Sequence, residues 1–216
     1  MLNKAVLTHF YNLNPRPLLA SDGSWVLLVN AKTATGSMTS KKAGLHAKAI
    51  HREHNTDLWH DIWHQYVDHD PHRIVFFTFV RNPWDRLVSA YHYLVQGSRA
   101  FAWETWPFER FVKEWLGTRP FSAKGIGLTL YRHIAPQHRT CYFNDHRIDE
   151  VFIGRFETIQ HDWEQLLSLG VNGDKVLPQL RPSEHKPYQG YYNDKTRRIV
   201  RRLYRQDIER FGYKFT

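Results

Sequence analysis

A run from Ile74 to Val80, IVFFTFV, is β-branched or aromatic at every position and gives way at once to Arg81-Asn82-Pro83. An apolar stretch without polar alternation is the signature of a strand covered on both faces, which places it inside a layered sheet. Asn82 suits the N-cap of a helix, Pro83 its first position and Asp85 its third. The spacing therefore predicts a helix from residue 83 to about 95. A second passage of the same kind lies upstream. Residues 25–30, WVLLVN, read as a buried strand; a polar turn follows, and residues 37 to about 53 read as helix. Each strand–turn–helix layout aims backbone N–H groups and the positive end of a helix dipole at one point, which suits an anion. Two such points in one chain imply a ligand with phosphate-like groups at both ends.

The rest of the chain continues the alternation. Phe108, Phe111, Val112, Trp115 and Leu116 mark an amphipathic helix. Residues 117–127 are turn-rich. Residues 151–156 form a third strand candidate, and 158–169 a helix stopped by Gly170. Ile199, Val200, Leu203, Tyr204, Ile208 and Phe211 give a last helix with one apolar stripe. Strands separated by helices predict an α/β fold, a mainly parallel sheet flanked by helices. Ligands in that architecture bind where strands end and helices begin. With 216 residues and no repeat or low-complexity linker, residues 1–216 read as a single domain, with 1–24 as a lead-in segment.

The net charge of +9 favours anionic partners without choosing among nucleotides, acidic glycans, nucleic acids and membrane surfaces. Arg197, Arg198, Arg201, Arg202 and Arg205 concentrate part of it in the last helix, where a solvated face is the simplest account. No stretch of ~18 or more uninterrupted apolar residues occurs, so no membrane span is expected. The first residues lack the apolar core and cleavage site of a signal peptide. A lone cysteine, Cys141, cannot form an internal disulfide, which fits a reducing compartment. A cytoplasmic location is the expectation.

The first turn holds Lys32, Thr33, Ala34, Thr35, Gly36, Ser37 and Met38. A lysine, hydroxyls and a glycine after a strand can cradle a tetrahedral anion, and equally fit a polar turn with an exposed lysine. It is not a Walker A loop, because Val26 and Ala31 stand where that pattern needs glycine. The second turn supplies Arg81, whose rigid fork of donors suits a phosphate, and Ser89 two helical turns on. Alone, Arg81 would be read as the partner of Asp85, and Ser89 as packing. His60 and His64 have the i, i+4 spacing of a zinc pair, yet Asp61 replaces the usual glutamate and no third ligand is set by spacing. Trp84, Tyr91, Tyr93 and Tyr131 read as core, and Arg155 with Glu157 as a buried structural pair.

Taken together, KTATGSM after a strand and FVRNPWDRLVSAYHYL resemble the sulfotransferases that use 3′-phosphoadenosine 5′-phosphosulfate (PAPS). The likeness is to the branch containing Golgi carbohydrate sulfotransferases and bacterial relatives. It extends to LHAKAIHRE, to APQ at 135–137, to IDEVFIGRFETIQHDWEQLL and to the C-terminal DIERFGYKF, covering about residues 25–215. In place of Ala31, Ala34, Thr35 and Gly36, relatives often carry Pro, Gly, Gly and Thr. The resemblance implies a fold of the P-loop nucleotide-kinase-like sulfotransferase type. It implies that the segment Lys32 to Met38 holds the 5′-phosphosulfate and that Arg81 and Ser89 hold the 3′-phosphate.

The chemistry so implied is in-line attack of an acceptor hydroxyl on sulfur, with adenosine 3′,5′-bisphosphate leaving and no metal required. Lys32 would offset charge on the leaving oxygen. His46, about ten residues past the first loop, is the favoured base, with His51, Glu53 and His92 as competitors. The acceptor is expected to be a carbohydrate or small metabolite; no specific nucleic acid and no membrane span are expected among its partners. The alternatives are a phosphoryl-transfer enzyme of related fold, and a non-enzymatic binder of anionic glycan or nucleic acid.

Overall fold

The two strands that precede the candidate turns along the chain are neighbours in one sheet and run parallel. The computed structural model describes residues 5–6, 9, 17–20, 23–40, 43–45, 47–49, 74–97, 106–178 and 185–216. Along the chain come β1 (Leu18–Ala20), β2 (Trp25–Leu27), α1 (Thr35–Met38), β3 (Ala47–Ala49), β4 (Val75–Val80) and α2 (Pro83–Gly97). They are followed by α3 (Phe108–Arg110), a π-helical turn Phe111–Leu116, α4 (Ala123–Ile126) and α5 (Leu128–Ile134). The hairpin β5 (Tyr142–Phe143) and β6 (His146–Arg147) precedes β7 (Val151–Arg155), α6 (Ile159–Ser168), α7 (Asp194–Leu203) and α8 (Arg205–Phe211). These elements fall into two compact units. One comprises Met1–Asn30, Ala34–Val80 and Arg139–Leu180, the other Ala31–Thr33, Arg81–His138 and Arg181–Thr216.

The first unit is built on a five-stranded sheet of order β3-β1-β2-β4-β7. β2, β4 and β7 run parallel, with Trp25 opposite Val75 and Phe77 opposite Phe152. The uninterrupted apolar run of β4 thus takes the central place expected of it, and every residue from Phe76 to Val80 is buried. Phe77 and Phe79 join Trp25, Leu27 and Val29 in a core that α6 closes with Trp163 and Leu166. The spacing Ile159, Trp163, Leu166, Leu167 puts one stripe of that helix on the sheet. The Trp163 indole N–H donates to the Asp174 carbonyl at 2.8 Å, so its one polar atom is satisfied within the core. Gly154 lies opposite Phe79 in the β4–β7 ladder, and a Cβ there would overlap the Phe79 ring.

The second unit packs α2, the π-helical turn, α5 and α7 around Trp84, Leu87, Val88, Phe111, Val112, Trp115, Ile134 and Tyr204. Asn82 caps α2 as predicted, its Oδ1 accepting from the Trp84 N–H at 3.1 Å. Asn193 and Thr196 form a reciprocal capping box at the start of α7. Trp84, Tyr91 and Tyr131 are buried, whereas Tyr93 remains 46% exposed. The arginines at 197, 198, 201, 202 and 205 are all exposed.

Several expectations change. The predicted helix over 37–53 ends at Met38, and Ala47–Ala49 is a strand that pairs antiparallel with β1. β1 itself lies in the segment read as a lead-in and pairs antiparallel with β2 as well, so the sheet is mixed at that side. The last helix divides at Tyr204, which leaves helical geometry (ψ 27°) while its hydroxyl donates to the Ile134 carbonyl at 2.6 Å. Arg205 therefore opens α8. Arg155 and Glu157 are exposed, so they are not a buried pair. The His-rich stretch 51–64 lies outside the described residues. Among the described residues, no group of His, Cys, Asp and Glu can hold a metal, and no helix is long and apolar enough to cross a membrane.

The Gly154 and Phe79 packing makes a stability prediction. Gly154→Ala forces the fully buried Phe79 ring out of place and is expected to cost about 1–3 kcal/mol in urea unfolding. Gly190→Ala, where the added methyl meets nothing within 4 Å, should leave the unfolding free energy within roughly 0.5 kcal/mol of the parent's.

Candidate functional site

The first loop starts from a buried polar knot. Asn30, 4% exposed, shares the two protons of Nδ2 among Thr78 Oγ1 at 3.1 Å, the Phe79 carbonyl at 3.2 Å and Thr140 Oγ1 at 3.1 Å. The Thr78 hydroxyl donates a hydrogen bond to the Leu28 carbonyl at 2.7 Å. The end of β2 is thereby fixed to β4 beyond the last ladder pair. Thr35 Oγ1 donates to the Asn30 carbonyl at 2.9 Å, which ties the start of α1 to the same knot. Ala34 has φ 62°, a left-handed conformation that costs an L-residue roughly 1–2 kcal/mol. The resemblance had placed glycine at this position in many relatives, and the conformation supplies the physical reason.

The Ala34 carbonyl accepts from the Ser37 and Met38 N–H groups at 2.8 and 3.1 Å. With α1 only four residues long, its dipole is small, and the Ser37 N–H already has an acceptor. Gly36 is exposed, and nothing lies within 4 Å of where its Cβ would be, so the backbone there is open to a ligand. The Met38 side chain packs in the core of the first unit and offers a ligand only its backbone.

In the second unit, two arginines grip the segment from Ala31 to Thr33. Arg81, 6% exposed, donates from Nη1 to the Lys32 carbonyl at 3.2 Å and from Nε to Asp85 Oδ2 at 2.8 Å. Arg86, 2% exposed, donates from Nε to the Ala31 carbonyl and from Nη1 to the Ala135 carbonyl, both at 2.9 Å. Burial pushes the Arg86 guanidinium below its ordinary value, and the neighbouring Tyr204 and Asp207 oppose that shift. Lys32 sits between these anchors at φ 70°. Two left-handed non-glycine residues within three positions mark a loop whose shape is imposed by its surroundings.

Those surroundings lead back to one carboxylate. Asp207 in α8 is fully buried and accepts from the Gln137 N–H at 2.8 Å, the His138 N–H at 2.9 Å and His138 Nδ1 at 2.6 Å. Gln137 in turn exchanges two bonds of 2.8 Å with the Arg81 backbone, its Oε1 accepting from the N–H and its Nε2 donating to the carbonyl. Sequence reasoning had assigned no role to Arg86, Gln137 or Asp207. Their only signal was that all three lie inside the segments carrying the family likeness.

The Lys32 ammonium lies over the ring of Tyr93, 4.4 Å from its centroid. The Tyr93 ring meets the His133 ring at 4.6 Å between centroids. Burial, with help from Lys32 and Arg86, lowers the His133 pKa to about 4, so the imidazole is neutral at physiological pH. Its Nδ1 is buried without a hydrogen-bond partner among the described residues.

Thr33 and Ser89 are buried at 1% and 3% exposure. His46, His51 and Glu53 lie outside the described residues. His92, the remaining candidate base, has Nε2 2.8 Å from the Tyr191 hydroxyl and stacks on His185. Burial, then His185, lowers its pKa. Tyr188 and Tyr192 are engaged in packing: the Tyr188 hydroxyl donates to the Thr216 carbonyl and the Tyr192 hydroxyl to the Trp84 carbonyl.

Comparison with known proteins identifies a family. The model described as "Sulfotransferase family" matches residues 8–214. No curated protein and no solved structure matches the chain.

Two measurements check the electrostatics of the site. Asp207→Asn strips the charge from three hydrogen bonds and faces donors with an amide, so unfolding free energy should fall by roughly 2–4 kcal/mol. The depressed His133 pKa means the unfolded chain binds a proton that the folded chain refuses between about pH 6.5 and pH 4. Stability is therefore lost as pH falls through that window, on the order of 1–2 kcal/mol by pH 5 once partial exposure is allowed for. His133→Gln should flatten this part of the stability–pH curve relative to the parent; an unchanged slope would count against the assignment.

Proposed function

The chain belongs to the sulfotransferase family, and we propose that it moves a sulfuryl group from PAPS to an acceptor hydroxyl by in-line displacement. The enzyme class, transfer of a sulfuryl group, follows from membership. The donor and the residue roles rest on the motifs together with their geometry. One observation carries the reading: the guanidinium of Arg81, from the second motif, bonds the carbonyl of Lys32, from the first, at 3.2 Å. Two segments separated by 49 residues thus bring an ammonium-bearing and a guanidinium-bearing residue together, which is the donor set that a ligand with separated phosphate groups requires.

PAPS supplies the activated sulfuryl group and a stable leaving group, adenosine 3′,5′-bisphosphate. The loop Lys32, Thr33, Ala34, Thr35, Gly36, Ser37 and Met38 holds the phosphosulfate end. Open backbone at Gly36 supports that role, and the Lys32 ammonium stabilises charge that builds on the bridging oxygen. Arg81 and Ser89 hold the 3′-phosphate. His46 takes the proton from the attacking hydroxyl, acting as general base. Alignment of the two reactants by these contacts is worth several kcal/mol. No step in this scheme calls on a metal. The acceptor is a hydroxyl-bearing molecule, with carbohydrate favoured by the resemblance.

Calorimetric titration with adenosine 3′,5′-bisphosphate and adenosine 5′-phosphate tests the donor assignment. The bisphosphate should bind at least tenfold more tightly, and Arg81→Ala should abolish that preference; equal affinities in the parent would sink the reading. Lys32→Ala is expected to lower the release of adenosine 3′,5′-bisphosphate from PAPS, with water as acceptor, by about 10²–10³-fold. His46→Ala that keeps most of its turnover while binding PAPS would remove His46 from the scheme.

A further inference from the structure

A lysine ammonium on four flexible methylenes helps a reaction only if it is held where charge develops. The backbone of Lys32 is held firmly, by its left-handed conformation and by the Arg81 bond to its carbonyl. The ammonium lies against the face of Tyr93, 4.4 Å from its centroid. Such a contact between a cation and an aromatic face is attractive and strengthens as water is excluded. Tyr93 lies four residues past Ser89 on α2, so both project from one side of that helix. Unlike Trp84, Tyr91 and Tyr131, it is left 46% exposed, and core packing does not account for it.

His133 from α5 supports the ring from another side, at 4.6 Å and a tilt of 44°. The charged and titratable groups around it are Lys32, Arg86 and Tyr93. An imidazolium here would repel both cations, whereas the neutral ring does not. Its buried Nδ1 has no hydrogen-bond partner among the described residues, so the side chain is not kept there by hydrogen bonding at that atom. The contact it does make is with the Tyr93 ring.

We propose that Tyr93 is a positioning residue for Lys32, its ring face holding the ammonium ready for the donor's leaving oxygen, and that His133 braces Tyr93. This rests on the reading of Lys32 as the lysine that stabilises the leaving group. Binding of the donor then replaces a ring face by an oxygen anion over a short path, and the cation need not be recruited from bulk solvent.

The test uses the full chain with Tyr93→Leu and Tyr93→Phe. In the parent, the Lys32 ε-CH2 protons, assigned with Lys32→Arg, should be shifted upfield by the ring; the shift should vanish in Tyr93→Leu and persist in Tyr93→Phe. Release of adenosine 3′,5′-bisphosphate from PAPS, with water as acceptor, should fall about tenfold at saturation in Tyr93→Leu. Affinity for adenosine 3′,5′-bisphosphate should stay within about twofold, and Tyr93→Phe should recover to within about threefold of the parent. Should Tyr93→Leu fail to fold, Tyr93→Gln serves the same comparison. Turnover of the ringless variant within twofold of the parent overturns the proposal, as does an equal loss in Tyr93→Phe. Failure of the parent to bind the bisphosphate overturns the donor reading instead, and is told apart because the ε-CH2 shift and its loss in Tyr93→Leu would still be seen.

Discussion

The buried carboxylate of Asp207 is the contact from which the geometry of the second unit's loop residues descends. A fully buried anion is costly unless its lone pairs are used, and here two backbone N–H groups and one imidazole use them. The gain is positional. Residues 137 and 138 are held rigidly, Gln137 clamps both backbone groups of Arg81, and Arg81 fixes the carbonyl of Lys32. Arg86, near enough to feel the Asp207 charge, secures the carbonyl before Lys32. The Arg81 side chain is thus oriented by residues buried behind it, an arrangement that holds a side chain in one geometry.

Strain and support are matched in this arrangement. Lys32 and Ala34 adopt a backbone conformation that neither favours, and the cost is sustained because carbonyls on either side are tied down. The sheet of the first unit contributes differently. Its buried hydroxyl and amide knot at Asn30, Thr78 and Thr140 sets where the chain leaves β2, and the glycine at 154 leaves room for the Phe79 ring.

Much of this was legible in the chain. The unbroken run of β4 and the Asn-Pro start of α2 are local signals, and the structure reproduces both within two residues. The strand at 47–49 was not legible, because Ala and Lys favour helix and the pairing that overrides them is with β1, far off in sequence. The same limit hid the ties that hold the site. Asp207 in RQDIERF reads as one more charge on a solvated helix, and Arg86 as another; only a fold can show that both face inward. The motif residues themselves could be named from resemblance, but not the reason Ala34 stands in a glycine's place.

The distance of Asp207 along the chain has a consequence for biosynthesis. The links from Lys32 to Arg81, from Arg81 to Gln137 and from Gln137 to Asp207 span 49, 56 and 70 residues. A ribosome making the protein delivers residues 32, 81 and 137 long before the carboxylate that anchors residues 137 and 138. Until residue 207 has been made, Gln137 lacks its buried anchor, so this series of bonds is completed from the C-terminal side and only after its other members have been synthesised.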